Sequence, residues 1–234
     1  MSAAGGGHAR AARGGHPRPR ASGASPAQAR IRRVFEELAA TVISVYARDL
    51  PLIDRMATLV TSTIARGGTI FFCGNGGSAA EAQHFATEIA VRFVRNRAAL
   101  PALSLTADTA VLTAVGNDLG YERIFARQIE SLGRPGDLLV AMTTSGRSPN
   151  VIQAARAARA RGLKIIGMTG AGGAAFARRC DLALRVPSRE TARIQELHLL
   201  VGHILCERAE EMAPRRKPKR STPGARLKGR RPRR

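Results

Sequence analysis

Asp137-Leu138-Leu139-Val140-Ala141-Met142-Thr143-Thr144-Ser145-Gly146-Arg147-Ser148-Pro149-Asn150 is the stretch that decides the fold. The apolar run up to Met142 does not alternate with polar residues, so it reads as a strand covered on both faces. Four hydroxyl residues and a glycine follow at once. Pro149 then stands where the first turn of a helix tolerates proline, and helical periodicity continues to Arg161. A buried strand that opens through a polar loop into a helix is the repeating step of an α/β protein.

The same step recurs on both sides. Thr69–Cys73 is a short apolar run followed by Gly74-Asn75-Gly76-Gly77-Ser78 and a helix expected to reach about Arg95. Ala102–Leu105 reads as a second strand, with helical segments near 109–115 and 121–132. Asp137–Met142 is the third, Lys164–Thr169 the fourth and Asp181–Val186 the fifth, and a long helix runs from Thr191 to Glu211. Ahead of them, residues 28–48 and 52–66 have helical periodicity and are split at Leu50-Pro51, which predicts a helical hairpin. The expected fold is therefore α/β: a five-stranded parallel sheet flanked by helices and preceded by a helical hairpin. Ligands of such a sheet bind at the carboxyl ends of its strands.

Composition bounds the alternatives. Hydrophobic residues make up 44% of the 234, but aromatics only 4% and Trp is absent, so the core is aliphatic. No apolar run approaches the roughly 18 residues of a membrane span. The N-terminal arginines are not followed by an apolar stretch, so no secretory signal is expected. Cys73, Cys180 and Cys206 are odd in number and far apart, which fits buried core thiols in a reducing cytoplasm. Residues 1–30 carry five Arg and 215–234 carry eleven Lys/Arg, with no acid in either. These tails hold sixteen of the net charge of +21 and leave +5 for the rest. Segments 1–27 and 213–234 have little to bury and are expected to be disordered basic tails around one domain, 28–212. Nucleic acid is not the expected partner, because the basicity sits in the tails and stacking aromatics are scarce.

Candidate chemistry lies in the loops and two helices. Thr143, Thr144, Ser145 and Ser148 surround a glycine at a strand-to-helix turn. Hydroxyls, helix amides and a close backbone there can cradle a phosphate. The Gly74–Ser78 turn has no dinucleotide-binding spacing and reads as a second wall, with Asn75 and Ser78 as partners for a polyol. His84 and Glu88 are four apart on one helical face, a spacing for metal ligation or acid–base work that also occurs on solvated helices. On the last helix Gln195 and His203 are eight apart, about 80° in helical angle and about 12 Å in rise, so one metal would need both side chains to converge. His198 competes as a ligand on that criterion.

Four segments together resemble one family: C-G-N-G-G-S-A-A-E-A-Q-H-F-A-T-E (73–88), V-G-N-D-L-G-Y (115–121), T-T-S-G-R-S-P-N-V (143–151) and A-R-I-Q-E-L-H-L-L-V-G-H (192–203). They resemble the SIS (sugar isomerase) domain and, within it, the phosphoheptose isomerases. The resemblance runs from about Arg33 to Glu210 and covers neither tail. It implies an SIS-type three-layer sandwich that turns sedoheptulose 7-phosphate into D-glycero-D-manno-heptose 7-phosphate through an enediol, opening ADP- or GDP-heptose precursor synthesis. The implied substrate-binding residues are Asn75, Gly76, Gly77, Ser78, Glu88, Asn117, Asp118, Thr143, Thr144, Ser145, Ser148 and Gln195. The implied catalytic pair is Glu88 and His203. One zinc ion per subunit is implied, held by His84, Glu88, Gln195 and His203, in a homotetramer with active sites near subunit interfaces. Some relatives carry an acid where this chain has Ala192. The alternative is a non-catalytic SIS protein that binds the bacterial replication initiator. In that family the positions of Glu88 and His203 are not acidic and not His, whereas this chain keeps both.

Overall fold

The computed structural model describes residues 25–213. The expected basic tails fall outside the described residues except at their inner ends. By its internal contacts the chain divides after Glu36. In the first unit Ser25 and Gln28 form a capping box: the Gln28 amide donates to Ser25 Oγ at 3.2 Å and the Ser25 amide to Gln28 Oε1 at 2.9 Å. With Pro26 at the first helical position, this starts α1, Pro26–Ala65.

The second unit, from Glu37 on, holds the sheet. Strands β1 (Ile70–Cys73), β2 (Ala102–Ser104), β3 (Leu138–Thr143), β4 (Lys164–Thr169) and β5 (Leu182–Arg185) are all parallel, in the order β2-β1-β3-β4-β5. Helices α2 (Gly77–Ala90), α3 (Thr109–Asp118), α4 (Ala126–Leu132), α5 (Pro149–Ala160), α6 (Ala174–Ala177) and α7 (Thr191–Glu211) connect and cover them. Period-2 alternation sends each strand's residues to two cores. Ile70, Phe72, Leu138 and Val140 pack with α1, α2 and α7, whereas Phe71, Cys73, Leu139 and Ala141 pack with α4, α5 and α6. The continuous apolar runs are the signature of a sheet buried on both faces.

This strand order has one switch point. The chain leaves β1 toward β2 and then crosses back to β3 on the other side of β1. The crevice at the carboxyl ends of β1 and β3 is where such a sheet binds ligands. Asp137 sets the register at the opposite end, accepting the Thr69 amide at 2.7 Å and the Arg134 amide at 2.8 Å. None of the described helices is long and apolar enough to cross a membrane.

Three expectations need correction. The hairpin does not form, since α1 runs unbroken through Pro51. Buried Val45 and Asp49 before the proline and Ile53, Met56 and Val60 after it continue one stripe, while Pro51 is exposed. Packing of that stripe outweighs the roughly 3 kcal/mol that proline costs inside a helix. The helix expected to reach Arg95 stops at Ala90, and the segment 121–132 is a 3-10 turn, Tyr121–Arg123, followed by α4. The four-residue α6 is shorter than the period needed to read it from sequence.

Since the helix persists in spite of Pro51, Pro51→Ala is expected to raise stability by about 1–3 kcal/mol. Urea unfolding of the two proteins measures it, and an unchanged or lowered midpoint would mean that Pro51 is not strained in α1.

Candidate active site

Two glycines let α2 and α7 approach each other. A Cβ on Gly202 of α7 would stand 2.1 Å from the Phe85 ring of α2, and one on Gly77 would stand 2.4 Å from the Gln195 amide nitrogen. Real Cβ atoms do not come that close, so at Gly202 any other residue would displace the packed Phe85 ring, and at Gly77 it would displace the Gln195 amide. Cys206 and Phe85 belong to the same buried cluster along this seam.

The approach brings His84 and His203 together. Their Nε2 atoms are 2.8 Å apart, within hydrogen-bond distance, so one ring donates and the other accepts. Glu88 Oε1 lies 3.8 Å from His84 Nε2. The His84 side chain is 41% exposed and that of Glu88 23%, so the group opens to solvent. The His203 ring packs edge-on against His84 and Phe85 and is stacked by Phe93 at 5.6 Å and 26°. The Glu88 carboxylate has no hydrogen bond among the described residues, which leaves its lone pairs open to a proton.

The expected zinc donors were tested on this geometry. Among the described residues, no three His, Cys, Asp or Glu are gathered closely enough to hold a metal by themselves. Yet two imidazole nitrogens point at one another beside a carboxylate, and nitrogen and oxygen donors of this kind suit zinc. His84, His203 and Glu88 thus fit the ion in donor type. Gln195 packs instead against Gly77 and is not hydrogen-bonded to the three.

Across the switch point lies the hydroxyl loop. Thr143 Oγ1 and Ser148 Oγ are 2.9 Å apart, and Ser145 Oγ accepts the Arg147 amide at 3.2 Å. Ser148 precedes α5 without capping it, so the helix keeps amide donors for a ligand. Thr144 and Ser145 line a cavity of about 280 Å³ with Arg147, Ser188, Arg189 and Thr191. Ser188 and Arg189, which sequence reasoning missed, enter from the loop before α7, and no motif marks them. A larger cavity of about 640 Å³, beside Leu103, Val111 and Gln128, holds none of the candidate residues.

Other candidates are differently employed. Asn75 and Asn150 exchange two amide hydrogen bonds of 2.7 and 2.8 Å, and Tyr121 Oη donates to Asn75 Oδ1 at 3.3 Å. Asn75 thereby latches the β1–α2 turn to the start of α5. Buried Asn150 was inside the motif, but nothing in its spacing announced this latch. Gly76 adopts φ +55° in the exposed turn. Ser78 is buried, and Glu81 takes up its hydroxyl. Asn117 donates to Asp118 at 2.7 Å, and neither bonds to another candidate among the described residues.

The comparisons with known proteins bear on this arrangement. Residues 34–170 match the model of the SIS domain. A phosphoheptose isomerase of Rhodospirillum rubrum is 53% identical over 161 residues, which are 69% of this chain and 86% of that one. One of Roseiflexus sp. is 50% identical over 190 residues, 80% of this chain and 96% of that one. The chain belongs to the phosphoheptose isomerase family of SIS-domain proteins. The structure of a phosphoheptose isomerase from Neisseria gonorrhoeae superimposes with a TM-score of 0.74 at 39% identity, covering 79% of this chain and 99% of that one. One from Francisella tularensis gives 0.76 at 38%, covering 79% and 98%. Members of this family are sugar-phosphate isomerases, and so is this enzyme.

A buried pair, Glu81 on α2 and His198 on α7, also faces across these helices. Fully buried His198 has no side-chain hydrogen-bond partner among the described residues; only the Thr169 backbone approaches its ring, and Nδ1 is 4.0 Å from Glu81 Oε2. Burial pushes Glu81 up to about 7, with the Ser78 hydrogen bond opposing, and pushes His198 down to about 4, with the Thr169 backbone opposing. The raised acid contributes stability that is full below 4.5 and is lost as pH rises toward 7. The lowered imidazole contributes stability that is full above 6.5 and is lost as pH falls toward 4. The two oppose each other, so single replacements unmask each. In His198→Gln, stability is expected to fall between about pH 4.5 and 7, and in Glu81→Gln to rise between about pH 4 and 6.5. Urea unfolding across that range checks the signs, and equal slopes in the two variants would contradict them.

Proposed function

We propose that this enzyme converts sedoheptulose 7-phosphate to D-glycero-D-manno-heptose 7-phosphate, supplying the first intermediate of heptose precursor synthesis. The observation that carries the reading is the convergence of Glu88 and His84 on α2 with His203 on α7. Ketose-to-aldose conversion removes a proton from C1, returns one to C2 and moves a third between the two oxygens. Glu88, with its unengaged oxygens, takes the C1 proton and, after exchange with solvent, returns a proton to C2. His203, already sharing a proton with His84, transfers between O1 and O2. The Thr143–Ser148 loop and the amides of α5 hold the phosphate, leaving the carbonyl end to reach the two helices. His84, Glu88, Gln195 and His203 would hold zinc. The ion's chemistry when bound is that of a Lewis acid at the carbonyl.

The enzyme is proposed to work in the cytoplasm as a homotetramer. Support for self-association comes from Ile43, Tyr46 and Leu50, which expose apolar side chains at helical spacing on α1.

Glu88→Gln keeps the shape but cannot take a proton, so turnover of sedoheptulose 7-phosphate should fall about 10²–10⁴-fold with the fold and sugar-phosphate binding intact. Circular dichroism and metal content measured beside turnover separate chemistry from folding. A Glu88→Gln enzyme with wild-type turnover would refute the proposed mechanism. Ser145→Ala is expected to raise the KM for the phosphorylated sugar by roughly 10- to 100-fold, as a hydrogen bond to a charged group is worth about 1.5–3 kcal/mol. An unchanged KM would move the phosphate elsewhere.

A further inference from the structure

The segment that follows α2, Phe93-Val94-Arg95-Asn96-Arg97, is folded around a single buried carboxylate. Glu210 stands on α7 seven residues after His203, two turns along the same face and about 10 Å further on. Its side chain is only 3% exposed, and four donors meet its two oxygens. Oε1 accepts the Phe93 amide at 3.0 Å and Arg97 Nε at 3.2 Å, while Oε2 accepts the Val94 amide at 3.0 Å and the Arg95 amide at 2.8 Å. The Arg95 guanidinium also donates to the Glu210 carbonyl. Burial alone would raise the pKa of this carboxyl. The three amides and Arg97 outweigh burial and hold it below the usual carboxylate range.

Two consequences run back to the reacting end of α7. Fixing the Phe93 amide seats its ring in a stack on the His203 imidazole, which limits rotation of that ring and aims Nε2 at His84. Arg97, its side chain fully buried, reaches the other way. One terminal nitrogen donates to the carbonyls of Glu88 and Ile89, both at 2.8 Å, and the other to that of Ala98 at 2.9 Å. The carbonyls of Glu88 and Ile89 are among those that the end of α2 leaves without a helical partner. The backbone of Glu88 and the plane of His203 are therefore fixed by one ion pair that touches neither side chain.

We propose that Phe93 is a positioning residue for the isomerisation, its ring holding the His203 imidazole in the productive plane, and that Glu210 with Arg97 is the anchor that holds Phe93 there. The inference rests on Glu88 and His203 being the catalytic pair. Stacking an aromatic face on a general acid–base group adds no chemistry. It removes misoriented states, and a displacement of about 1 Å at such a group costs about 10²-fold in rate.

The test uses the full chain with Phe93→Leu, which keeps an apolar side chain without a ring face, and Phe93→Tyr, which restores the ring. Steady-state kinetics with sedoheptulose 7-phosphate read the rate. The NMR shift of the His203 ring protons reads the stack without reference to activity. Phe93→Leu is expected to lower kcat roughly 10- to 100-fold while KM stays within about twofold. The same variant loses the ring-current shift of His203, and Phe93→Tyr regains both shift and rate. Glu210→Gln, if folded by circular dichroism, moves kcat and shift in the same direction as Phe93→Leu. Wild-type kcat in Phe93→Leu, a loss confined to KM, or a Tyr variant as slow as the Leu variant each overturns the inference and leaves the catalytic reading intact. A wild-type enzyme that shows the ring-current shift but never turns over the sugar phosphate brings down the catalytic reading, and the role of Phe93 with it.

Discussion

The seam between α2 and α7 is the constraint on which the rest depends. The candidate groups come from both helices: His84 and Glu88 stand on α2, and His203 stands on α7, more than a hundred residues later in the chain. Only the absence of a side chain at Gly202 lets the Phe85 ring sit against the α7 backbone, and only its absence at Gly77 admits the Gln195 amide. At that separation two imidazoles share a proton.

The sheet contributes a crevice of its own. With β1 and β3 adjacent and their connections leaving in opposite directions, a crevice opens at their carboxyl ends. The β1–α2 turn and the hydroxyl loop form its two walls, tied together by the Asn75–Asn150 amide pair. One end of a phosphorylated sugar can then be held by dipoles and hydroxyls while the other reaches groups able to move protons. Polar groups are also buried along the seam. Glu81 and His198 sit between the two helices, the one held toward its protonated form and the other toward its neutral form. Glu210 organises the chain beyond α2.

Much of this was legible in the residues. The uninterrupted strands Leu138–Thr143 and Lys164–Thr169, each closed by a glycine-containing turn, specify a parallel sheet because burial on both faces is written directly in composition. The last helix was readable to its ends, since twenty-one residues of unbroken periodicity leave little ambiguity. Pro51 misled because a local rule was read without the packing that overrides it. The early end of α2 was hidden because its cause, Glu210, lies more than a hundred residues away. The candidate site was legible as a set of residue types, and its family as four motifs. Spacing could not reveal that Asn75 spends its amide on Asn150, that Ser78 turns to Glu81, or that Phe93 stacks on His203. Those depend on distances between elements that the sequence orders but does not measure.

If side chains on these two helices carry a proton between adjacent carbons of a ketose phosphate, the transfer leaves an isotopic trace. The enzyme is set to act on sedoheptulose 7-phosphate in deuterium oxide, and NMR locates deuterium in the aldose. Because His84 and Glu88 open to solvent, a proton held on the enzyme exchanges before it is returned, and the expected product is aldoheptose phosphate that carries solvent deuterium at C2. Aldose formed with no deuterium at C2, or no aldose at all, would contradict it.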